Sequence, residues 1–110
     1  MKICELAKAL KLDVITLPSP DTEVNSCYIG DLLSHVMTRA TEGNVWITIM
    51  TNINTVAVAS VSSVSAIIIA EDLKIPCDVV YAANEHKVNI LRSKLPAFET
   101  ALAIGRLLSE

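Results

Sequence analysis

The spacing of apolar and polar residues changes period several times along this chain, and one long neutral block dominates it. From 43 to 70 the sequence reads GNVWITIMTNINTVAVASVSSVSAIIIA, without one Asp, Glu, Lys, Arg or His. Charge lies on both sides, at Arg39 and Glu42 before it and at Glu71, Asp72 and Lys74 after it. So neutral a segment predicts burial, in the domain's own core or against a partner. Inside it, VWITIM (45–50) is β-branched with one aromatic and predicts a buried strand, and AIIIA (66–70) predicts another. Between them TNIN (51–54) is a polar break. Residues 55–63 suit a helix: Asn52 or Asn54 supplies an N-cap, Ala57, Ala59 and Ser60 are small, and two parallel strands need a crossover element. Strand, helix and strand with no charge imply a parallel sheet covered on both faces.

The flanks complete an α/β pattern. Ile3, Leu6, Ala7 and Leu10 recur at helical spacing over 3–11, and LDVITL (12–17) reads as a strand ended by Pro18 and Pro20. VNSCYI (24–29) alternates as a weaker strand. Asp31 is then a candidate N-cap for a helix over 32–40 with Leu32, Leu33, Val36 and Met37 inward, closed by Gly43 in a left-handed conformation. Pro76 opens a helix to about Glu85, with Asp78 near its positive end. A short strand follows around 88–91. Pro96 opens a final helix through Leu108, with Phe98, Ala101, Leu102, Ile104 and Leu108 as its packed set. Gly105 inside that helix predicts close approach of another backbone.

A length of 110 residues fits one domain, 1–110, able to bury roughly two-thirds of its unfolded surface. The 52% hydrophobic and 19% charged composition carries more apolar surface than a monomer readily hides, which predicts self-association. A net charge of -3 without any basic run argues against nucleic acid and against an anionic membrane surface. The neutral block is interrupted by Asn44, Asn52, Asn54 and several hydroxyls, so it does not read as a membrane span. Cys4, Cys27 and Cys77 are odd in number and widely spaced. They predict plain thiols in a reducing cytoplasm, not disulfides or a metal knuckle, and MKICELAKALKLD lacks the apolar core of a signal peptide.

DTEVNSCYIGDLLSHVM (21–37), followed by WITIMTNINTVAVAS and AIIIA, resembles a stand-alone DRTGG domain. That family's pattern is approximately Asp-Arg-x-Val-x-Gly-Gly-Tyr, then an Asp-Leu-Leu-Ser-x-Val-Met helix, a Trp-Ile-Thr-Ile strand, an Asn-x-x-Ala-Val-Ala-Ser helix and an Ile-Ile-Ile strand. Asp21, Val24 and Tyr28 match the first piece, and Asp31, Leu32, Leu33, Ser34, Val36 and Met37 the second. Trp46, Ile47, Thr48, Ile49, Asn54, Ala57, Val58, Ala59 and Ser60 match the third and fourth. Thr22 replaces the family Arg and Ser26-Cys27 its Gly-Gly pair, which compromises any ligand site that depends on those glycines. The resemblance implies a three-layer α/β/α sandwich with a small, mostly parallel sheet, similar to the N-terminal domain of HPr kinase/phosphorylase. It also implies a non-catalytic role, since such domains are attached to CBS-domain pyrophosphatases and phosphotransacetylases as regulatory or dimerising modules.

Catalytic motifs are missing. With only three glycines there is no phosphate-binding loop, so a kinase role carried over from HPr kinase fails, and there is no GxSxG, HExxH or dinucleotide fingerprint. Asp31 and His35, four apart, would need a third group to form an acid–base or metal site; a cap and a surface imidazole account for them. The expectation is therefore no catalytic residue, no metal and no cofactor. The candidate ligand site is Thr48, Thr51, Asn52 and Asn54 with Asp31, at the carboxyl end of a parallel strand where a helix begins, suited to an adenine nucleotide or other anion. Helix capping by Asn52 or Asn54 explains the same residue types. The candidate homodimer interface is Val56, Ala57, Ala59 and Ser60, on the neutral helix. The alternative function is a scaffold subunit of an enzyme complex with no small-molecule ligand.

Overall fold

The computed structural model describes all 110 residues. Its elements are α1 (Ile3–Ala9), β1 (Asp13–Thr16), β2 (Ser26–Ile29), α2 (Leu33–Arg39), β3 (Asn44–Thr48), α3 (Ile53–Ser62), β4 (Ala66–Ile69), α4 (Cys77–Glu85), β5 (Ile90–Arg92) and α5 (Ala97–Leu108). One sheet runs β1-β5-β4-β3-β2. Strands β2 to β5 are mutually parallel, and β1 joins the β5 edge antiparallel.

The parallel strands lie in sequence order, so each crossover steps in the same direction. Right-handed crossovers then place α2, α3 and α4 on one face. Strand residues alternate between the two faces accordingly. Trp46, Ile67, Ile69 and Ile90 pack with Val36, Val56, Ala59, Val79 and Ala83 of those three helices. Val45, Ile47, Ala66, Ile68 and Leu91 pack on the other face with Ile3, Leu6 and Ala7 of α1 and Ile104 of α5. This is the three-layer α/β/α sandwich with a mostly parallel sheet expected from the sequence. Each fully buried aliphatic side chain contributes about 1.5–3 kcal/mol, and β3 and β4 are buried along their whole length.

The β1–β2 connection crosses from one edge of the sheet to the other, beneath the amino ends of the parallel strands. Buried polar side chains fasten it there. Asn89 accepts from the Ser19 N–H (2.9 Å) and donates to the carbonyls of Ser19 (2.8 Å) and Ser65 (2.9 Å). The Ser65 hydroxyl reaches the carbonyls of Glu23 (2.5 Å) and Gly43 (2.9 Å). Asn44 donates to Asn25 (3.0 Å), whose own amide donates to the Glu42 carbonyl (2.8 Å). Gly43 has φ +88, and a Cβ there would lie 2.5 Å from the Asn25 amide nitrogen, so both backbone sign and space require glycine.

Four expectations are corrected. Asp31 does not cap α2. Leu32 holds the N-cap position without a side-chain bond, because the Asp31 carboxylate is turned toward β3. Leu32 and Met37 are exposed, since α2 packs through Leu33, Val36 and Ala40 alone. On α5, Phe98 and Leu102 face solvent while Thr100 and Ile104 face the sheet, and no atom lies within 4 Å of where a Gly105 Cβ would be. The inward face of α5 accepts Thr100 because its hydroxyl is bonded to Ser93 Oγ (2.7 Å) and the Pro96 carbonyl (2.9 Å).

Candidate functional site

The β3–α3 turn is built by hydrogen bonds converging on Thr48, only 2% exposed. Its hydroxyl donates to Asp31 Oδ1 (2.7 Å) and accepts from the Met50 N–H (3.2 Å). The same Asp31 oxygen accepts from the Ile49 N–H (3.0 Å). Trp46 Nε1 donates to the Gly30 carbonyl (2.8 Å), tying the β2–α2 turn to β3 just below. Asn52 is the N-cap of α3, accepting from the Thr55 N–H (3.2 Å), and the Thr55 hydroxyl returns to the Met50 carbonyl (3.2 Å).

Two of the expected site residues, Asp31 and Thr48, are thus brought together but bonded to each other and to backbone. Thr51, Asn52 and Asn54 instead line an open depression of about 500 Å³ with Ile53, Pro76, Asp78 and Val79. The amino ends of α3 and α4 meet there. The first-turn N–H groups of a helix have no intrahelical acceptor, and the dipole makes both ends partially positive. Asp78 occupies the first turn of α4 with its carboxylate accepting from the Val79 N–H (3.0 Å), which offsets part of that positive potential. The α4 side of the depression was missed in the sequence. Its available signals were Pro76 and Asp78, which mark a second helix start at the same edge of the sheet.

Strand order limits what this edge can enclose. Ligand crevices in open α/β sheets form where the strand order reverses and successive helices part to opposite faces. Here β2 to β5 never reverse, so α3 and α4 lie side by side and the depression stays shallow. The positions where this chain departs from the family motif lie elsewhere. Thr22 is in the β1–β2 connection with its hydroxyl on the Ser19 carbonyl (2.9 Å), and Ser26 and Cys27 begin β2, at the amino end of the sheet, opposite the depression.

On α3, Val56 and Ala59 point into the sheet and are buried, and so offer no surface to a partner; Ala57 and Ser60 are exposed. The Asp31 carboxylate faces β3 and is not hydrogen-bonded to His35, which is exposed on α2. All three cysteines are free thiols. Burial pushes the Cys27 thiol up to about 11, so it stays protonated at neutral pH.

The DRTGG domain family matches residues 5–107, nearly the whole chain. The chain belongs to the DRTGG domain family. Among solved structures, it is similar to the CBS and DRTGG domains of the regulatory region of Clostridium perfringens pyrophosphatase, crystallised with its activator diadenosine tetraphosphate. The TM-score is 0.71 at 11% identity, over 90% of this chain and 44% of that one. This DRTGG domain therefore spans less than half of that regulatory region, and at such identity the likeness is one of fold. No curated protein matches.

Proposed function

We propose that this DRTGG domain is a non-catalytic regulatory module that binds an adenine nucleotide or another anion in the α3–α4 depression and acts as a homodimer. The observation carrying the ligand reading is the meeting of two helix amino ends at one open depression on the carboxyl edge of a parallel sheet. Membership of a family found in a nucleotide-activated regulatory region supports the same direction. The chemistry of a hydrolase or kinase has no support in the site: the one carboxylate beside a hydroxyl, Asp31 with Thr48, is taken up in holding the turn.

A second reading, a scaffold subunit without a small ligand, is favoured by Asp78. Its carboxylate lines the depression and opposes an incoming anion. A thermal-shift series with AMP, ATP, diadenosine tetraphosphate and inorganic phosphate separates the two. Stabilisation by a nucleotide at millimolar concentration, enhanced by Asp78→Asn, supports ligand sensing. No shift with any of them, in either form, leaves the scaffold.

A further inference from the structure

Helix α5 turns one face to the sheet and leaves an unusual one outside. Thr100 and Ile104 mark the inward side. On the opposite side stand Phe98, 70% exposed, and Leu102, 40% exposed. Together with Ala101, Gly105 and Ser109 they line an open groove flanked by Arg106 and, at the helix end, Glu110. At 100° per residue Phe98, Leu102, Gly105 and Ser109 form one outward seam, and Glu99 and Arg106 lie together along one flank of it. Glu99 and Arg106 are seven residues apart, about 10.5 Å along the axis, too far to pair with each other. Neither takes part in an ion pair within the chain.

We infer that this face receives a second copy of the chain, with α5 packed antiparallel against α5 of the partner about a two-fold axis near Leu102. The inference rests on the homodimer reading above and gives that dimer its surface. The charges carry it. A two-fold axis perpendicular to a helix pair brings the same flank of both helices together with the direction reversed. An acid at 99 and a base at 106 then face each other twice, once at each end of the contact. The notch carries it independently. Gly105 sits mid-helix, where it costs about 1 kcal/mol against Ala, and no atom of its own chain uses the space its missing Cβ leaves. In the antiparallel register that notch lies opposite the end of the partner helix that bears Phe98, a large ring without an intramolecular cover. Two such ring-and-notch contacts flank Leu102 against Leu102 on the axis.

The seam is short, twelve residues. A single helix of this length falls short of the roughly 20–30 residues a side of a standard interface, so a weak dimer is expected, with a dissociation constant on the order of 10–100 µM. Sedimentation analysis of the full chain from about 5 to about 500 µM brackets that range. The wild type shifts from monomer to dimer across it. Leu102→Glu and Phe98→Ser stay monomeric while keeping the wild-type circular dichroism spectrum, since both side chains lie outside the core. Glu99→Arg and Arg106→Glu each weaken association about tenfold, and the double exchange restores it to within about threefold, because the reversed pair is again self-complementary. A dimer that survives Leu102→Glu and Phe98→Ser overturns this surface and leaves the homodimer reading intact. Singles weakened with no recovery in the double exchange overturn the antiparallel register. A wild type that is monomeric throughout overturns both the surface and the homodimer.

Discussion

Asn89 holds three hydrogen bonds from a position 2% exposed, and its replacement tests how the long β1–β2 connection is fastened. In Asn89→Ala the Ser19 N–H and the Ser65 carbonyl lose their side-chain partner. The Ser19 carbonyl keeps bonds from the Thr22 hydroxyl (2.9 Å) and the Thr22 N–H (3.4 Å). Three bonds at about 1 kcal/mol each give ~3 kcal/mol, and water reaching half-exposed Ser19 recovers part, leaving about 2–3 kcal/mol. With ~2.1 cal/mol/K per residue the unfolding entropy is about 0.23 kcal/mol/K, so Tm falls by about 10 °C. Asn89→Asp is the sharper variant. It keeps the volume and the Ser19 N–H bond, but sets a carboxylate against the carbonyls of Ser19 and Ser65 and buries a charge. Urea unfolding should rank Asn89→Asp below Asn89→Ala, both well below wild type. An Ala variant within about 0.5 kcal/mol of wild type, the range of ordinary surface changes, or an Asp variant no worse than Ala, refutes the account of this fastening.

Other expectations follow from the same geometry. Val56→Asp places a carboxylate against the sheet and should abolish cooperative unfolding, whereas Ala57→Asp, on the outer face of α3, should unfold like wild type in the same titration. Asp31→Ala removes two hydrogen bonds to a charged acceptor at the β3–α3 turn and should lower stability by about 2 kcal/mol, read by urea, with faster amide exchange at Ile49. Exposed Cys77 should react with a thiol reagent at neutral pH and Cys27 should not. Because the Cys27 pKa is raised in the folded state, its contribution is fully present below pH 9.0 and is lost as pH rises toward about 11. Cys27→Ala should flatten that alkaline limb of a stability–pH curve.

The βαβ centre of the fold was legible because its residues allow few alternatives. VWITIM and AIIIA have no polar face to give a one-sided strand, and Asn52 stands where the α3 cap is needed. The sheet edges were harder. Asp31 carries the local signature of an N-cap, yet the Thr48 hydroxyl at the end of β3 and the Ile49 N–H just beyond it, 17 and 18 residues away, win its carboxylate. No local pattern encodes such a competition. Phe98 and Leu102 read as core because a large apolar side chain usually is, while Thr100 replaces them at the sheet through its bonds to Ser93 and Pro96. The depression needed the third dimension: Asn54 and Asp78 come together only because β3 and β4 are neighbours and their crossovers lie on one face. Asn89 and Ser65 carry no local signature and Asn44 reads only as a polar interruption of the neutral block, since only the path of the β1–β2 connection shows what they bind.

Amide chemical shifts during titration of the isotope-labelled chain with diadenosine tetraphosphate, ATP and phosphate test the central claim most directly. Nucleotide binding at the depression predicts saturable shifts concentrated at Thr51, Asn52, Ile53 and Asn54 and at Cys77, Asp78 and Val79. The amino end of the sheet, at Ser26, Asn44 and Ser65, should remain unchanged. Saturable shifts centred elsewhere, or none up to millimolar nucleotide, would contradict the account.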